Sequence, residues 1–193
     1  LWTWMRCKSK ITGLRGKLGF ADSSFLRFLG LSVSLKDGSV FDELRNQTFA
    51  TIAPSLYCIL SGYADAKLVS ETLKLVSFRQ LPGGYAYYNA FVRRAINLVQ
   101  KAFGLKPERL VEAAKLIGGS KAAYGDCSVK IHSLPLVPIM VVLWAEDQEF
   151  ESSASILFDS SVSNYLSTEQ IAMLSELTSV RLRHANEVLD IQK

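Results

Sequence analysis

Carboxylates gather in one stretch of this 193-residue chain, where Trp144 is followed by Glu146, Asp147, Glu149 and Glu151, and then by Asp159. Acids that converge from the ends of secondary-structure elements can hold Mg2+ or Ca2+ through oxygen ligands. They can also divide into a general acid and a general base when burial separates their pKa values. Asp126, beside a turn signal at Gly125, is a further acid for such a group. The same residue types serve ordinary structure, because Asp suits turns and Glu suits the first turn of a helix. Asp159 has the greatest need of a partner. It follows Ile156-Leu157-Phe158, and a carboxylate at the end of an apolar strand loses hydration unless a cation or several N–H groups replace it. The expected partner is Arg79 or a bound cation.

A second group could supply that positive charge. Arg79 precedes Pro82-Gly83-Gly84, and two glycines ahead of a helix can open backbone N–H groups toward an anion at the positive end of the helix dipole. Arg79, with Arg93 or Arg94, would then clamp a phosphate or carboxylate. A Pro-Gly-Gly turn with Arg79 paired to Asp147 or Asp159 explains the same letters. The glycine spacing is neither that of a phosphate loop nor that of a dinucleotide fingerprint. Tyr85, Tyr87, Tyr88 and Phe91 form an aromatic cluster, in which Tyr88 and Phe91 share a helix face for core packing or for a flat cofactor. His132 and His184 have no His, Cys or Glu partner at metalloprotease spacing, so no metal site is expected from them. A lone axial histidine leaves no signature in a sequence, and the letters name no cofactor. Ser160, Ser161 and Ser163 lack the G-x-S-x-G elbow of a serine nucleophile.

The elements that must carry these groups follow from periodicity. Residues 25–41 alternate apolar and polar about Asp37-Gly38, which predicts an antiparallel pair joined by a turn that tolerates positive φ. Helical spacing over 48–63 with Pro54 inside it places a helix start near Ala53, or a kink, with Gly62 as the stop. A long helix is expected from Tyr85 to Phe103, closed by Gly104; Pro107 suits the first turn of the next, which Gly118-Gly119 ends. So short a link makes the two a helical hairpin, laid over one face of a sheet. The sheet comes from the alternation over 127–132 and the β-branched run from Val137 to Trp144, the pattern of a central strand buried on both faces. A turn at Glu146-Asp147-Gln148 leads to an antiparallel strand over 154–158. Ser167-Thr168-Glu169-Gln170 matches a capping box that starts a helix reaching about Leu189. The fold class is α+β, a mixed, mainly antiparallel sheet with helices packed on it. A basic arm over 1–20 precedes one domain over 21–193.

Composition bounds the function classes. With 49% apolar and 21% charged residues the chain is globular and not disordered. The formal charge of +4 comes from 22 basic and 18 acidic residues, and Arg6, Lys8, Lys10, Arg15 and Lys17 precede any acid. Such an arm suits an acidic partner, an anionic membrane surface or nucleic acid, although basic and aromatic residues do not interleave as in a single-strand binder. Trp2 and Trp4 beside it are candidate contacts for a protein partner. Cys7, Cys58 and Cys127 are odd in number and widely spaced, which fits reduced thiols and the cytoplasm. The apolar run from Val137 to Ala145 is about half the ~20 residues a spanning helix needs.

The block from Leu143 to Phe150, with Ile156-Leu157-Phe158-Asp159, resembles a prokaryotic family catalogued as domain of unknown function 3786, whose members read as a Trp, an acidic D-x-E-F step and an L-F-D motif. Ser77 to Gly84 with Tyr88 and Phe91, then Gly118-Gly119, then Gly125-Asp126, are similar to the same family in the same order. The likeness covers Phe78 to Leu182 and reaches back more loosely to Phe25. The family has no established activity. Some relatives stand beside cysteine-rich iron-sulfur modules of corrinoid proteins, so the resemblance implies one-carbon or redox metabolism by association; this chain lacks that module.

The candidate ligand- or anion-binding residues are thus Arg79, Gly83, Gly84, Tyr88, Asp126, Trp144, Asp147, Glu149 and Asp159. The first expectation is a cytoplasmic, non-catalytic binding or accessory module that docks on a larger redox or one-carbon protein assembly. The alternative is an enzyme with a pocket of Asp126, Asp147, Glu149 and Asp159 opposite Arg79, acting with Mg2+ on a small anionic substrate. Convergence of those residues in one hollow marks the enzyme, and an exposed apolar patch marks docking.

Overall fold

The computed structural model describes residues 2–146 and 148–191. Asp147, one of the acids expected at the site, lies outside the described residues.

Four short strands, β1 (Phe25–Phe28), β2 (Leu31–Ser34), β3 (Val40–Asp42) and β4 (Gln47–Thr48), form an antiparallel sheet in sequence order. The expected turn at Asp37-Gly38 joins β2 to β3, with Val33 opposite Val40. The Asp37 carboxylate accepts from the Ser39 N–H at 3.0 Å, and Gly38 holds φ at 78°. A Cβ on Gly38 would run into the Trp4 indole. A tighter turn at Leu29-Gly30, with φ of 53° and 67°, pairs β1 with β2. Leucine is uncommon at positive φ, so nothing in the letters marks that turn.

The segment from Trp4 to Phe20, where a basic arm was expected, packs against the rest of the chain. Helix α1 (Trp4–Thr12) buries Cys7 and Ile11, and Leu14 and Phe20 join the same core. Trp4 lies against Tyr57 with ring centroids 5.8 Å apart, and Lys10 pairs with Asp65. The physical reason is an apolar stripe at helical spacing, Trp4, Cys7, Ile11 and Leu14, masked by the basic residues between. Its burial anchors the segment and leaves the charges on the outer face.

The larger sheet contains β5 (Leu75–Ser77), β6 (Gly119–Ala122), β7 (Cys127–Leu134), β8 (Val137–Trp144) and β9 (Ser153–Asp159) in the order β5-β9-β8-β7-β6. The β-branched run is the central strand, as its two-sided apolar character requires, and is buried from Val137 to Leu143. Val137, Ile139, Val141 and Leu143 belong to the main core. The class is α+β, with two sheets in place of one and no parallel pairing among the described residues, so the sheet is wholly antiparallel instead of mixed.

Helix α2 (Ala53–Ala64) begins at Ala53 with Pro54 in its first turn, where a missing N–H costs nothing. Gly62 lies inside the helix beneath the Gln170 side chain and is not its stop. The expected long helix runs through α3 (Gly84–Phe91), a π-helical stretch at Val92–Ile96, and α4 (Asn97–Phe103), ending at Gly104. Pro107 caps α5 (Glu108–Leu116), and α4 and α5 lie on the sheet against β9 and β7. Helix α6 (Thr168–Ile191) packs across this pair and onto α2. Its capping box is formed: the Gln170 N–H donates to the Ser167 hydroxyl at 3.3 Å and the Ser167 N–H to the Gln170 side chain at 3.0 Å. No helix among the described residues is long and apolar enough to cross a membrane.

Residues 66–74 have no regular structure, yet they are clasped along their length. The Tyr165 hydroxyl accepts from the Val69 N–H at 3.1 Å and donates to the Val69 carbonyl at 2.6 Å. Lys130 meets Glu71 at 2.9 Å, and the Ser160 N–H donates to the Lys74 carbonyl at 2.8 Å.

Candidate functional site

Two of the described acids, Asp126 and Asp159, stand far apart. Asp159 ends β9, whereas Asp126 opens the β7 strand at the opposite end of the sheet, where Trp144 pairs with Ser153. Six residue steps of strand lead from Ser153 to Asp159, about 20 Å at roughly 3.4 Å per step. Both of these carboxylates accept from backbone N–H groups. Asp126 accepts from the Ala145 N–H at 2.9 Å and fixes the exit of β8. Trp144, half-exposed, borders a shallow depression there with Asp126, Phe150 and Glu151, and Glu149 is exposed nearby.

Asp159 does not meet Arg79. Its carboxylate accepts from the Thr72 N–H and hydroxyl at 3.0 Å each, the Leu73 N–H at 2.7 Å and the Ser161 N–H at 2.9 Å. Burial works to raise its pKa, but the hydrogen bonds from Ser161 and Thr72 outweigh that and hold the carboxyl well below the usual range. N–H groups have replaced water, the second of the two ways a carboxylate at the end of an apolar strand can be satisfied.

Arg79 instead lays its guanidinium 3.9 Å over the Tyr88 ring, a cation–π contact on the surface. Gly83, at φ 73°, makes the left-handed turn into α3. The Gly84 N–H donates to the Leu81 carbonyl at 2.9 Å, and a Cβ there would collide with the Phe78 carbonyl oxygen. The two glycines make a tight turn, and the Gly84 N–H is spent inside it. Tyr88 and Phe91 pack as a core pair: Phe91 stacks on Phe78 at 4.1 Å and touches Phe158 at 6.3 Å.

The remaining reactive side chains are quiet. Cys7, Cys58 and Cys127 are free and buried, and burial pushes the Cys58 and Cys127 thiols up. His132 stands 3.6 Å from Glu71. Burial, then the charges of Arg45 and Arg181, lower the His184 pKa to about 4, so its ring is neutral at pH 7. Among the described residues no three His, Cys, Asp or Glu side chains gather as metal ligands.

The geometry opens a site elsewhere, in a cleft of about 250 Å3 between the long helical run and the start of α6. Tyr87, Ala90, Phe91, Arg94 and Ala95 form one wall, at the i, i+3, i+4, i+7 and i+8 positions of one helix face. Thr168, Glu169, Ala172, Met173 and Glu176 form the other, and Phe78 contributes to the floor. Ala90, Ala95 and Ala172 stand where larger side chains would have closed the two faces on each other. The π-helical stretch crosses this wall at Arg94 and Ala95, and such insertions recur at functional positions. Arg94, Glu169 and Glu176 at the rim have no ion pair among the described residues.

Sequence reasoning passed over this cleft, because alanines on a helix face signal nothing until the facing helix is known and a π-turn has no marker in the letters. It also passed over Arg181, buried in α6 with Asp42. A signal existed there: Leu174, Thr178, Arg181 and Ala185 share one helix face, so an arginine sits within a buried stripe.

No curated protein and no solved structure matches the chain. A family model does, over residues 20–181, which takes in the region from Phe25 where the motif likeness was loose. The chain therefore belongs to the family described as Domain of unknown function (DUF3786).

Proposed function

We propose that the chain is a binding module whose working site is the cleft between Tyr87–Ala95 and the start of α6, where it takes a small and mainly apolar ligand. One observation carries the reading: two helix faces oppose each other and fail to close, with alanines at the gap and a π-turn along one wall. An apolar lining with a few polar groups at the rim is the usual chemistry of a small-molecule pocket. The acid-lined enzyme is the less favoured alternative, because Asp126 and Asp159 stand at opposite ends of the larger sheet and both accept from backbone amides. The likeness to proteins found beside corrinoid and iron-sulfur modules makes a redox or one-carbon assembly the first place to seek a partner.

Methionine methyl NMR tests the reading directly. The chain has three methionines: Met173 lines the cleft, Met140 lies on the sheet beside Lys130, and Met5 is exposed. A panel of single-ring aromatic and branched aliphatic compounds should shift the Met173 methyl and leave the other two in place. Ala172→Phe, which fills the half-buried gap, should abolish the response in a protein of unchanged fold. A panel that moves Met173 no more than Met5 would sink the proposal.

A further inference from the structure

The charges at the rim restrict what the cleft can take, an inference that rests on the binding reading above. Glu169, Ala172, Met173 and Glu176 fall at i, i+3, i+4 and i+7, so the two carboxylates bracket the apolar centre of one wall. They stand about 10 Å apart along α6, two turns of helix. Arg94 faces the same space from the opposite wall, and Glu176 is the more buried of the two acids. None of the three is neutralised by an ion pair among the described residues, although charged residues elsewhere in the chain, such as Arg109 with Asp190 and Lys130 with Glu71, are paired.

A ligand that enters this hollow displaces water from charges of both signs. A purely apolar molecule would leave the half-buried Glu176 without a partner and draw water from the nearer faces of the exposed Arg94 and Glu169, at a cost that rises with their desolvation. An anion would meet Arg94 but also two carboxylates, and a cation would meet the carboxylates but also a guanidinium. A molecule that carries both charges next to an apolar group satisfies Arg94 and the half-buried Glu176 together and leaves the exposed Glu169 to water. Size narrows the choice again. A volume of 250 Å3 matches about eight water molecules at roughly 30 Å3 each, enough for one ring or branched alkyl group and a short polar head. A partner helix, about 10 Å across with its side chains, does not fit.

We propose that the cleft binds a small amphipathic zwitterion of the amino-acid type. The apolar side group lies on Phe78, Phe91 and Met173, the carboxylate meets Arg94 in a two-pronged contact, and the ammonium group meets Glu176. The arrangement is a recognition site and involves no covalent step.

Three probes with the same ring separate the charges: L-phenylalanine, phenethylamine and 3-phenylpropionate. Each is titrated into the full chain and followed by the Met173 methyl shift. L-Phenylalanine should bind on the order of tenfold or more tighter than either single-charge probe, the size of effect expected for one charge-assisted hydrogen bond. Arg94→Gln should bring L-phenylalanine down to the level of phenethylamine and leave phenethylamine no weaker. Glu176→Gln should do the converse with 3-phenylpropionate as the reference. Arg94→Lys, which keeps the charge and loses the planar fork, should fall between. Both positions are at the rim, and an unchanged denaturation midpoint verifies that each variant is folded. Equal affinities for the three probes, all shifting Met173, would overturn the zwitterion while leaving the cleft as a binding site. No Met173 response to any probe would overturn both.

Discussion

Arg181 and Asp42, fully buried and 139 positions apart in sequence, meet in a two-pronged ion pair that fastens the last helix to the first sheet. Arg181 Nη1 lies 2.6 Å from Asp42 Oδ2 and Nη2 lies 2.6 Å from Oδ1. Two of the remaining guanidinium protons go to the turn between β1 and β2, with Nε donating to the Leu29 carbonyl at 3.0 Å and Nη2 to the Gly30 carbonyl at 3.1 Å, and Nη1 lies 3.3 Å from His184 Nδ1. Asp42 also accepts from the Leu44 N–H at 3.0 Å. Burial alone would raise the Asp42 pKa, and the hydrogen bonds and charge of Arg181 overcome it and hold the carboxyl below its ordinary range.

Removing one partner strands the other. Asp42→Ala should destabilise the protein by about 3–5 kcal/mol, because a guanidinium is left uncompensated in the interior. The double variant Asp42→Leu, Arg181→Met should cost less than the sum of the two single changes. Urea denaturation of the three proteins checks this, and additive losses would mean that the pair is not coupled.

Asp159→Asn should lower stability by about 2 kcal/mol, since an amide nitrogen would face one of the N–H donors that the carboxylate now satisfies. Glu151→Gln, at an exposed position, should change little. Because the folded pKa is depressed, the Asp159 contribution is complete above about pH 4 and is lost as pH falls through the lower folded value. Affinity for L-phenylalanine should be the same in both variants. A loss confined to Asp159→Asn would return this residue to the list of ligand contacts.

His184 should give the fold an acid-side slope. Its pKa of about 4 lies below the ordinary 6.5, so the neutral ring is the form that the fold holds. Its contribution is complete above about pH 6.5 and falls away toward pH 4, by up to about 3 kcal/mol. Arg45, Arg181 and Arg183 oppose the protonated ring and Glu187 favours it. The chain has two histidines, so ring-proton NMR assigns the titration: a His184 resonance that titrates near pH 6.5 would contradict the burial argument.

Ser167→Ala should cost about 1 kcal/mol through loss of the bond to the Gln170 N–H. Gln170→Ala should cost more, because the Gln170 side chain also donates to the Cys58 carbonyl at 2.9 Å and so ties α6 to α2. Thermal midpoints that rank the other way would leave the tie to α2 without energetic weight.

The parts of the fold that could be read in advance are those fixed by local chemistry. The central strand β8 announced itself because burial on both faces demands an unbroken apolar run, and α6 because Ser167 and Gln170 have the types and spacing of a cap. Pro54, Gly104 and Pro107 marked helix ends for the same reason. What escaped depends on residues distant in sequence. The ion pair of Arg181 with Asp42 needs two elements brought together, and the hollow beside Ala90 and Ala172 exists only because of what faces them. Asp159 shows the boundary well. Its need for partners was legible, but the choice between Arg79 and the Thr72 and Leu73 amides is made by the path of residues 66–74, which no local pattern encodes.

That path has a consequence for digestion. Leu73 is 82% exposed at φ 60° in a segment with no regular structure, a position that a protease would be expected to favour. A protease must draw its substrate out into an extended strand, and the clasps at Val69, Glu71, Leu73 and Lys74 prevent this in the folded chain. Cleavage between 66 and 74 therefore counts only the molecules in which Tyr165 and Asp159 have let go. The segment that looks most vulnerable becomes a timer for local opening, and acid, by protonating Asp159, should set it running.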